Sequence, residues 1–278
     1  MISIIGLGPS GAAIADIFSQ YPQYSVYKIL AGKKKGKRKN TYTVVEQSSS
    51  EDYEEHCPSL KTFFKDIKGE VLFITDGSEL ISSSSLRVLH HVRHLPITVL
   101  YIKPDTDFLP ERNRLNENTV RGVLQEYARS AVFERIYLVD KAVVAASLGN
   151  VPIKSYNKMV YDAIASTLHM INVFSHSSIV MGASAEPIEM ARVSTFGFVD
   201  TDTGKENLFF PLDFCREKNY YYAFSEKKLA NDGTLLSKVK ERTLAQSHDR
   251  LKATYAVYET QYEDDYIYVL SHSSMVQV

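Results

Sequence analysis

The sequence predicts an α/β protein: a mainly parallel sheet covered on both faces, a long central helix, and a second, smaller α+β domain. Three observations carry that class. Short apolar runs alternate with amphipathic stretches over the first two-thirds of the chain, as parallel strands joined by crossover helices do. A helical pattern then runs from Pro152 to about Phe174. Beyond His176 the patterning becomes strand-rich. At 278 residues the chain can bury one large core or two closely packed ones. The expected division is 1–151, a central helix over 152–175, and 176–278.

Taken in order, Ile2–Ile5 reads as a buried strand and Ser10–Ser19 as a helix with Ala13, Ile14, Ile17 and Phe18 on one face. Tyr24–Leu30 and Thr41–Val45 are strands, separated by a flexible basic loop, Gly32 to Lys39. Glu51–Ile67 is expected to be a helix closed by Gly69, Val71–Thr75 a strand, and Leu80–His94 a helix. The strand Ile97–Ile102 stops at Pro104, and Asn116–Arg129 is an amphipathic helix. The strand Arg135–Val139 and a short helix over Lys141–Ser147 complete the alternation. On the central helix Met159, Ile164, Leu168 and Ile171 recur at helical spacing. Strands are then expected at Ile179–Met181, Val193–Val199, Tyr220–Phe224, Ala253–Thr260 and Tyr266–Ser271, with helices near Pro187–Val193 and Gly233–Asp249.

Composition narrows the function classes. A net charge of −1 argues against a generally basic nucleic-acid binder. The two cysteines, Cys57 and Cys215, lie far apart and match no zinc spacing, which suits a reducing compartment. His90 and His94 stand four apart on an expected helix, but no third ligand is in view, so they read as a solvated face. Ser82–Ser85 read as capping and loop residues, since no nucleophile elbow surrounds them. The chain opens on a strand, and no apolar window approaches the roughly 20 residues of a membrane span. A soluble cytoplasmic protein is the expectation. The charge run Lys33, Lys34, Lys35, Lys37, Arg38 and Lys39 reads first as a surface hairpin. Its functional reading is a salt-sensitive contact with an acidic protein partner, nucleic acid being the less favoured alternative.

The chemistry-bearing motif is the opening: Gly6-Leu-Gly8-Pro-Ser10-Gly11 after an apolar strand. In a strand–turn–helix, Gly6 permits the tight turn, Gly8 lets the backbone approach a phosphate, and Gly11 lets helix pack on strand, so the loop is Rossmann-like. A flavin or nicotinamide enzyme using FAD or NADH is one reading, with Glu46 as its ribose-binding acid. That fold wants the acid about 20 residues past the glycines. Glu46 lies 35 positions after Gly11, with a whole strand and the basic loop between.

The order of the later segments resembles the tubulin/FtsZ family over nearly the whole length. The points of likeness are the glycine loop, the loop after Glu70–Thr75, Lys103-Pro104 with the Arg/Asn-rich helix start, Tyr137–Lys141, the long central helix, and the closing α+β domain. The resemblance implies a nucleotide-binding domain, GTP or GDP with magnesium, and assembly into filaments. It implies phosphate contacts at Gly6, Gly8, Ser10 and Gly11 with Gly77 and Ser78 opposite. Glu111 and Arg114 would stand near ribose and phosphates, and Asn157 or Tyr161 near the base. Glu186 or Glu189 would supply the acidic catalytic residue that enters a neighbouring subunit's site in this family.

Departures from the family pattern set the functional expectation. The glycine-rich phosphate loop of the family is here Asp76-Gly77-Ser78-Glu79-Leu-Ile-Ser82. With an effective dielectric near 20, a unit charge about 4 Å from another costs roughly 4 kcal/mol. Asp76 and Glu79 would therefore repel phosphate. The expected Asn-x-Asp of the catalytic loop is replaced by Gly182–Glu189, where Glu186 also fits a first-turn helix acid. The expectation is an assembly subunit with guanine-nucleotide binding weak or lost, of the pared-down kind a phage or mobile element carries. The alternatives are an active polymerising GTPase and the oxidoreductase.

Overall fold

The computed structural model describes residues 2–107 and 109–277. Positions 1 and 278, the outer bounds of the expected domains, lie outside them. The chain separates into two compact units, one running up to Ala165 and the other covering Ser166–Gln277. The division falls inside the central helix, Tyr156–Ser175.

The first unit is an α/β layer structure. Its strands are β1 (Ile2–Leu7), β2 (Tyr24–Gly32), β3 (Gly36–Arg38), β4 (Thr41–Val45), β5 (Glu70–Asp76), β6 (Ile97–Lys103) and β7 (Arg135–Asp140). They lie in the order β3-β4-β2-β1-β5-β6-β7. Every neighbouring pair is parallel except β3 with β4. The apolar runs explain the middle of this sheet, because a strand covered on both faces has no polar side to show. Ile4, Ile5, Leu7, Phe73 and Ile74 are fully buried, each worth about 1.5–3 kcal/mol of burial. The helices are α1 (Gly8–Phe18), α2 (Ser50–Glu55), α3 (Ser85–Leu89), α4 (Glu111–Arg129), α5 (Lys141–Ser147) and α6, the central helix, which continues into the second unit.

Parallel register brings the strand ends together. Leu7 stands beside Thr75, Asp76 beside Ile102, and Lys103 beside Asp140. The C-terminal ends of β1, β5, β6 and β7 thus form one row, the edge where open α/β sheets place their sites.

Two helices expected in this unit differ from the sequence reading. Glu51–Ile67 is helical only over Ser50–Glu55. Ser49 caps its start, accepting the Asp52 N–H at 3.0 Å. Pro58 ends it, since proline lacks the N–H and excludes helical backbone before it. Leu60, Phe63, Phe64 and Ile67 are buried through turns instead. Leu80–His94 is a tighter mixture, with 3₁₀ turns at Leu80–Ser84 and His90–Val92 flanking α3. The serines explain it: Ser84 Oγ donates to Ile81 O at 2.7 Å and Ser85 Oγ to Ser82 O at 2.5 Å, competing with the backbone ladder.

The second unit is α+β. Its strands are β8 (Met181–Gly182), β9 (Val193–Val199), β10 (Glu206–Leu208), β11 (Cys215–Ser225), β12 (Lys252–Thr260) and β13 (Tyr266–Ser273), with α7 (Glu226–Asn231) and α8 (Leu235–Ala245). They run in the order β9-β13-β11-β12-β8, and β10 pairs with β9. Only β11 with β12 is parallel among these pairs. Tyrosines furnish much of the core. Tyr220 and Tyr222 pack with Val199, Phe224, Val239, Val257, Ile267 and Val269. On the opposite face Tyr221 stacks on Tyr258 at 6.1 Å between ring centres. Buried phenols need partners, and Tyr220 donates to Glu206.

The helix expected near Pro187–Val193 is irregular chain. Side chains of β11 hold it extended: Asn219 Nδ2 donates to Ala185 O at 3.0 Å, and Glu217 Oε2 accepts the Ile188 N–H at 2.8 Å. The helix expected over Gly233–Asp249 is shorter, Leu235–Ala245, and the His248–Leu251 bridge follows it.

Candidate functional site

The β1–α1 turn is built as its glycines require. A Cβ on Gly6 would lie 2.4 Å from Gly11 O, and one on Gly11 2.4 Å from Ile74 O, so both positions exclude any side chain. Gly8 takes φ +77°, a conformation glycine adopts at little cost. No side chain from its own cap residue closes α1. Its first N–H groups therefore present a partial positive charge where an anion is favoured.

That position holds a carboxylate of the same chain. The Ser10 N–H donates to Glu79 Oε1 at 2.8 Å. The other oxygen, Glu79 Oε2, lies where a Cβ on Gly8 would be met at 1.8 Å, and it is buried with no hydrogen-bond partner. The Glu79 backbone is pinned: its carbonyl accepts the Ser82 N–H at 2.8 Å and Asn116 Nδ2 at 3.3 Å. Burial, and then the charge of Asp76, push the Glu79 carboxyl up to about 7 against the pull of Ser10 and Lys141.

The loop from β5 closes on itself in the same way. Asp76 is fully buried and its Oδ2 pairs with Lys141 Nζ at 2.6 Å. Its Oδ1 accepts both the N–H and the hydroxyl of Ser78, at 2.9 and 2.7 Å. Burial opposes the charge on Lys141, yet Asp76 and Tyr161 outweigh it and hold the ammonium above its ordinary value. Lys141 Nζ also lies 3.5 Å from Ser10 Oγ and 5.3 Å from the centre of the Tyr161 ring. Tyr161 donates its hydroxyl to Ser10 Oγ at 2.9 Å. Gly77 is glycine because Tyr101 OH lies 1.8 Å from where its Cβ would be; that hydroxyl is held by Glu117. At the next strand ends Lys103 pairs with Asp140 at 3.2 Å. Asp140 also caps α5, accepting the Ala142 N–H at 2.9 Å.

Of the residues the sequence singled out, Gly6, Gly8, Ser10, Gly11, Gly77, Ser78 and Tyr161 meet here. Glu111 and Arg114 are exposed at the start of α4, and Asn157 is exposed on the first turn of α6. Helix α4 reaches the site through other residues. Asn113 Nδ2 donates to Ser78 O at 2.7 Å, and Asn116 Nδ2 to Gly77 O at 2.8 Å and Ser82 Oγ at 3.0 Å. Their three-residue spacing on one helix face was the available signal. Glu186 and Glu189 belong to the other unit, exposed on the irregular segment after β8. Glu46 follows β4, which is separated from β1 by β2, two strands from the glycine turn. The basic run is an exposed hairpin of β3 on β4, with Lys37 donating to Thr62 O at 3.3 Å.

A nucleotide's phosphates do not fit these residues as they stand. The Ser10 N–H, the Ser78 N–H and hydroxyl, and Lys141 are engaged by Glu79 and Asp76, and Tyr161 is engaged by Ser10. Among the described residues no cluster of three His, Cys, Asp or Glu side chains is placed to hold a metal ion, and no helix is long and apolar enough to cross a membrane.

No protein-family model and no curated protein sequence matches this chain. Solved structures do. CetZ from Methanosaeta thermophila superimposes with a TM-score of 0.70 at 13% identity, over 98% of this chain and 86% of that one. The GTPγS-form protofilament of TubZ from Bacillus thuringiensis serovar israelensis gives 0.69 at 12%, over 99% and 87%. An FtsZ dimer from M. jannaschii, described as empty, gives 0.64 at 11%, over 98% and 87%. The chain has the tubulin/FtsZ fold. In this chain the β1–α1 turn and the loop after β5 are closed by side chains of the chain itself, Glu79 on the Ser10 N–H and Lys141 on Asp76.

Proposed function

We propose that this chain is a self-associating subunit of the cytoskeletal type, assembling through protein–protein contacts with guanine-nucleotide binding weak or lost. The observation that carries the assembly reading is an exposed apolar segment directly after the central helix. Ile179, Val180, Met181, Ile188 and Met190 are between 41% and 73% exposed within twelve residues. Met181 lies in β8, the two-residue strand that ends its sheet order, and the others flank it. A patch of this kind beside a strand edge marks a protein contact surface. The fold supports a second copy as partner, since TubZ is described in GTPγS-form and GDP-form protofilaments and in a four-stranded filament. The reading of weak nucleotide binding is supported by the internal engagement of the phosphate-loop donors. The six cations of the β3 hairpin give the assembly a salt-sensitive face toward acidic protein surfaces.

Sedimentation velocity over a wide concentration range, with and without GTP and magnesium, tests this. Concentration-dependent assembly that is indifferent to GTP is expected. A chain that stays monomeric at every concentration overturns the reading. Assembly that requires GTP restores the polymerising GTPase, with Glu186 and Glu189 as the acids to mutate. A thermal-shift panel of GTP, GDP, ATP, FAD and NADH separates the remaining class, because a ligand of the folded state must raise the midpoint. The position of Glu46, two strands from the glycines, speaks against FAD or NADH.

A further inference from the structure

We propose that Glu79 is a built-in occupant: its carboxyl group takes the seat that the glycine loop and the α1 N-terminus offer a phosphate, and so closes that seat to external oxyanions. The inference rests on the reading that nucleotide binding is weak or lost, and gives it a cause in one side chain. Four observations converge on it. Glu79 Oε1 accepts the Ser10 N–H at 2.8 Å, the bond a phosphate oxygen would take. Glu79 Oε2 fills the space above Gly8 that the missing Cβ leaves, and is buried without a protein donor. The Glu79 carbonyl is fixed by Ser82 and Asn116, so the side chain is aimed from a rigid base. The remaining charge, Asp76, is neutralised by Lys141 and turned away onto Ser78. The loop geometry of a phosphate site is therefore maintained by the chain itself.

The arrangement differs from a merely degraded site. Degradation removes donors, whereas here the donors, the glycines and the helix terminus persist and a tethered acceptor meets them. Removing that acceptor should reopen the seat. Its charge and its volume act separately: Gln keeps the shape and an acceptor oxygen, Ala removes both, and Asp keeps the charge but withdraws it by one methylene.

The test is isothermal titration of the full chain and its Glu79→Ala, Glu79→Gln and Glu79→Asp variants with sodium pyrophosphate and with GTP plus magnesium. Each sample's assembly is followed in parallel by sedimentation. Glu79→Ala should bind pyrophosphate at least about tenfold more tightly than the unmodified chain, the scale of one hydrogen bond to a charged group. Glu79→Gln should gain less and Glu79→Asp nothing. A folded Glu79→Ala that gains no affinity overturns the proposal while leaving weak nucleotide binding intact. An unmodified chain that itself binds GTP with micromolar affinity or better, unchanged in Glu79→Ala, overturns both. Should Glu79→Ala fail to fold, the Ser10 amide of the unmodified chain decides by NMR. Bonded to a carboxylate, it resonates downfield and exchanges slowly without any ligand; exchange as fast as in open loops overturns the proposal.

Discussion

The glycine-loop end of the first unit and the 179–190 segment of the second handle their unsatisfied chemistry in opposite ways. At the first, the α1 terminus is met by Glu79, the buried Asp76 by Lys141 and Ser78, and the Ser10 hydroxyl by Tyr161, all of the same chain. At the second, five large apolar side chains remain in solvent beside a short edge strand. The polar groups of the first region are paired within the chain, and the apolar side chains of the second are not covered by it. Solved structures of the same fold include GTPγS-form and GTPγS-bound protofilaments; in this chain the glycine turn and the loop after β5 pair with side chains of the chain itself.

The strongest way to break this contrast is to unbalance the polar side. Lys141→Ala leaves Asp76 buried and uncompensated, and about 3–5 kcal/mol of stability should disappear in urea denaturation. A loss under 1 kcal/mol would mean that Asp76 is not held as described.

The next test uses pH. The Glu79 carboxyl is raised from 4.5 to about 7, so between those values the folded chain keeps a proton the unfolded chain has released. The stability this contributes is fully present below pH 4.5 and is lost as pH rises through about 7. The groups facing it are Asp76, Lys141 and Ser10. Relative to Glu79→Gln, the unmodified chain should lose about 3 kcal/mol between pH 4.5 and pH 8. A constant difference would sink the assignment of a buried, proton-binding Glu79.

Smaller effects sharpen the contrast. Tyr161→Phe removes one hydrogen bond to Ser10 Oγ and should cost about 1 kcal/mol without changing assembly. On the apolar side the order reverses: Met190→Lys should leave stability within about 0.5 kcal/mol, as exposed positions do. It should still move the concentration at which assembly sets in upward by sedimentation. Both sides responding alike would dissolve the distinction.

How much of this was legible in the sequence depended on the range of the cause. Strands and the glycine turn were readable because apolar runs and missing side chains act within a few residues. Thr41–Val45, Lys141–Ser147 and Val193–Val199 fall at the expected bounds for that reason. The helix expected over Glu51–Ile67 stops at Glu55 on a local signal, Pro58. Asp76 and Glu79 were visible as charges in a phosphate loop, but not what they touch. Lys141 reaches Asp76 only because β5, β6 and β7 align their ends, and that register is written in no single segment. On α4 the family resemblance points to Glu111 and Arg114, whereas helix phase turns Asn113 and Asn116 toward the loop.

The tether on Glu79 has a consequence beyond affinity. A group carried on the same chain faces its seat at an effective concentration fixed by geometry, of millimolar order or higher, whatever the cell contains. A diffusible anion must overcome that competitor at every encounter, and its apparent binding falls by the fraction of time the seat stands open. A competitor carried on the same chain is never depleted and never diffuses away. Subunits of this kind would carry no record of when they joined an assembly, and disassembly would have to be signalled from outside.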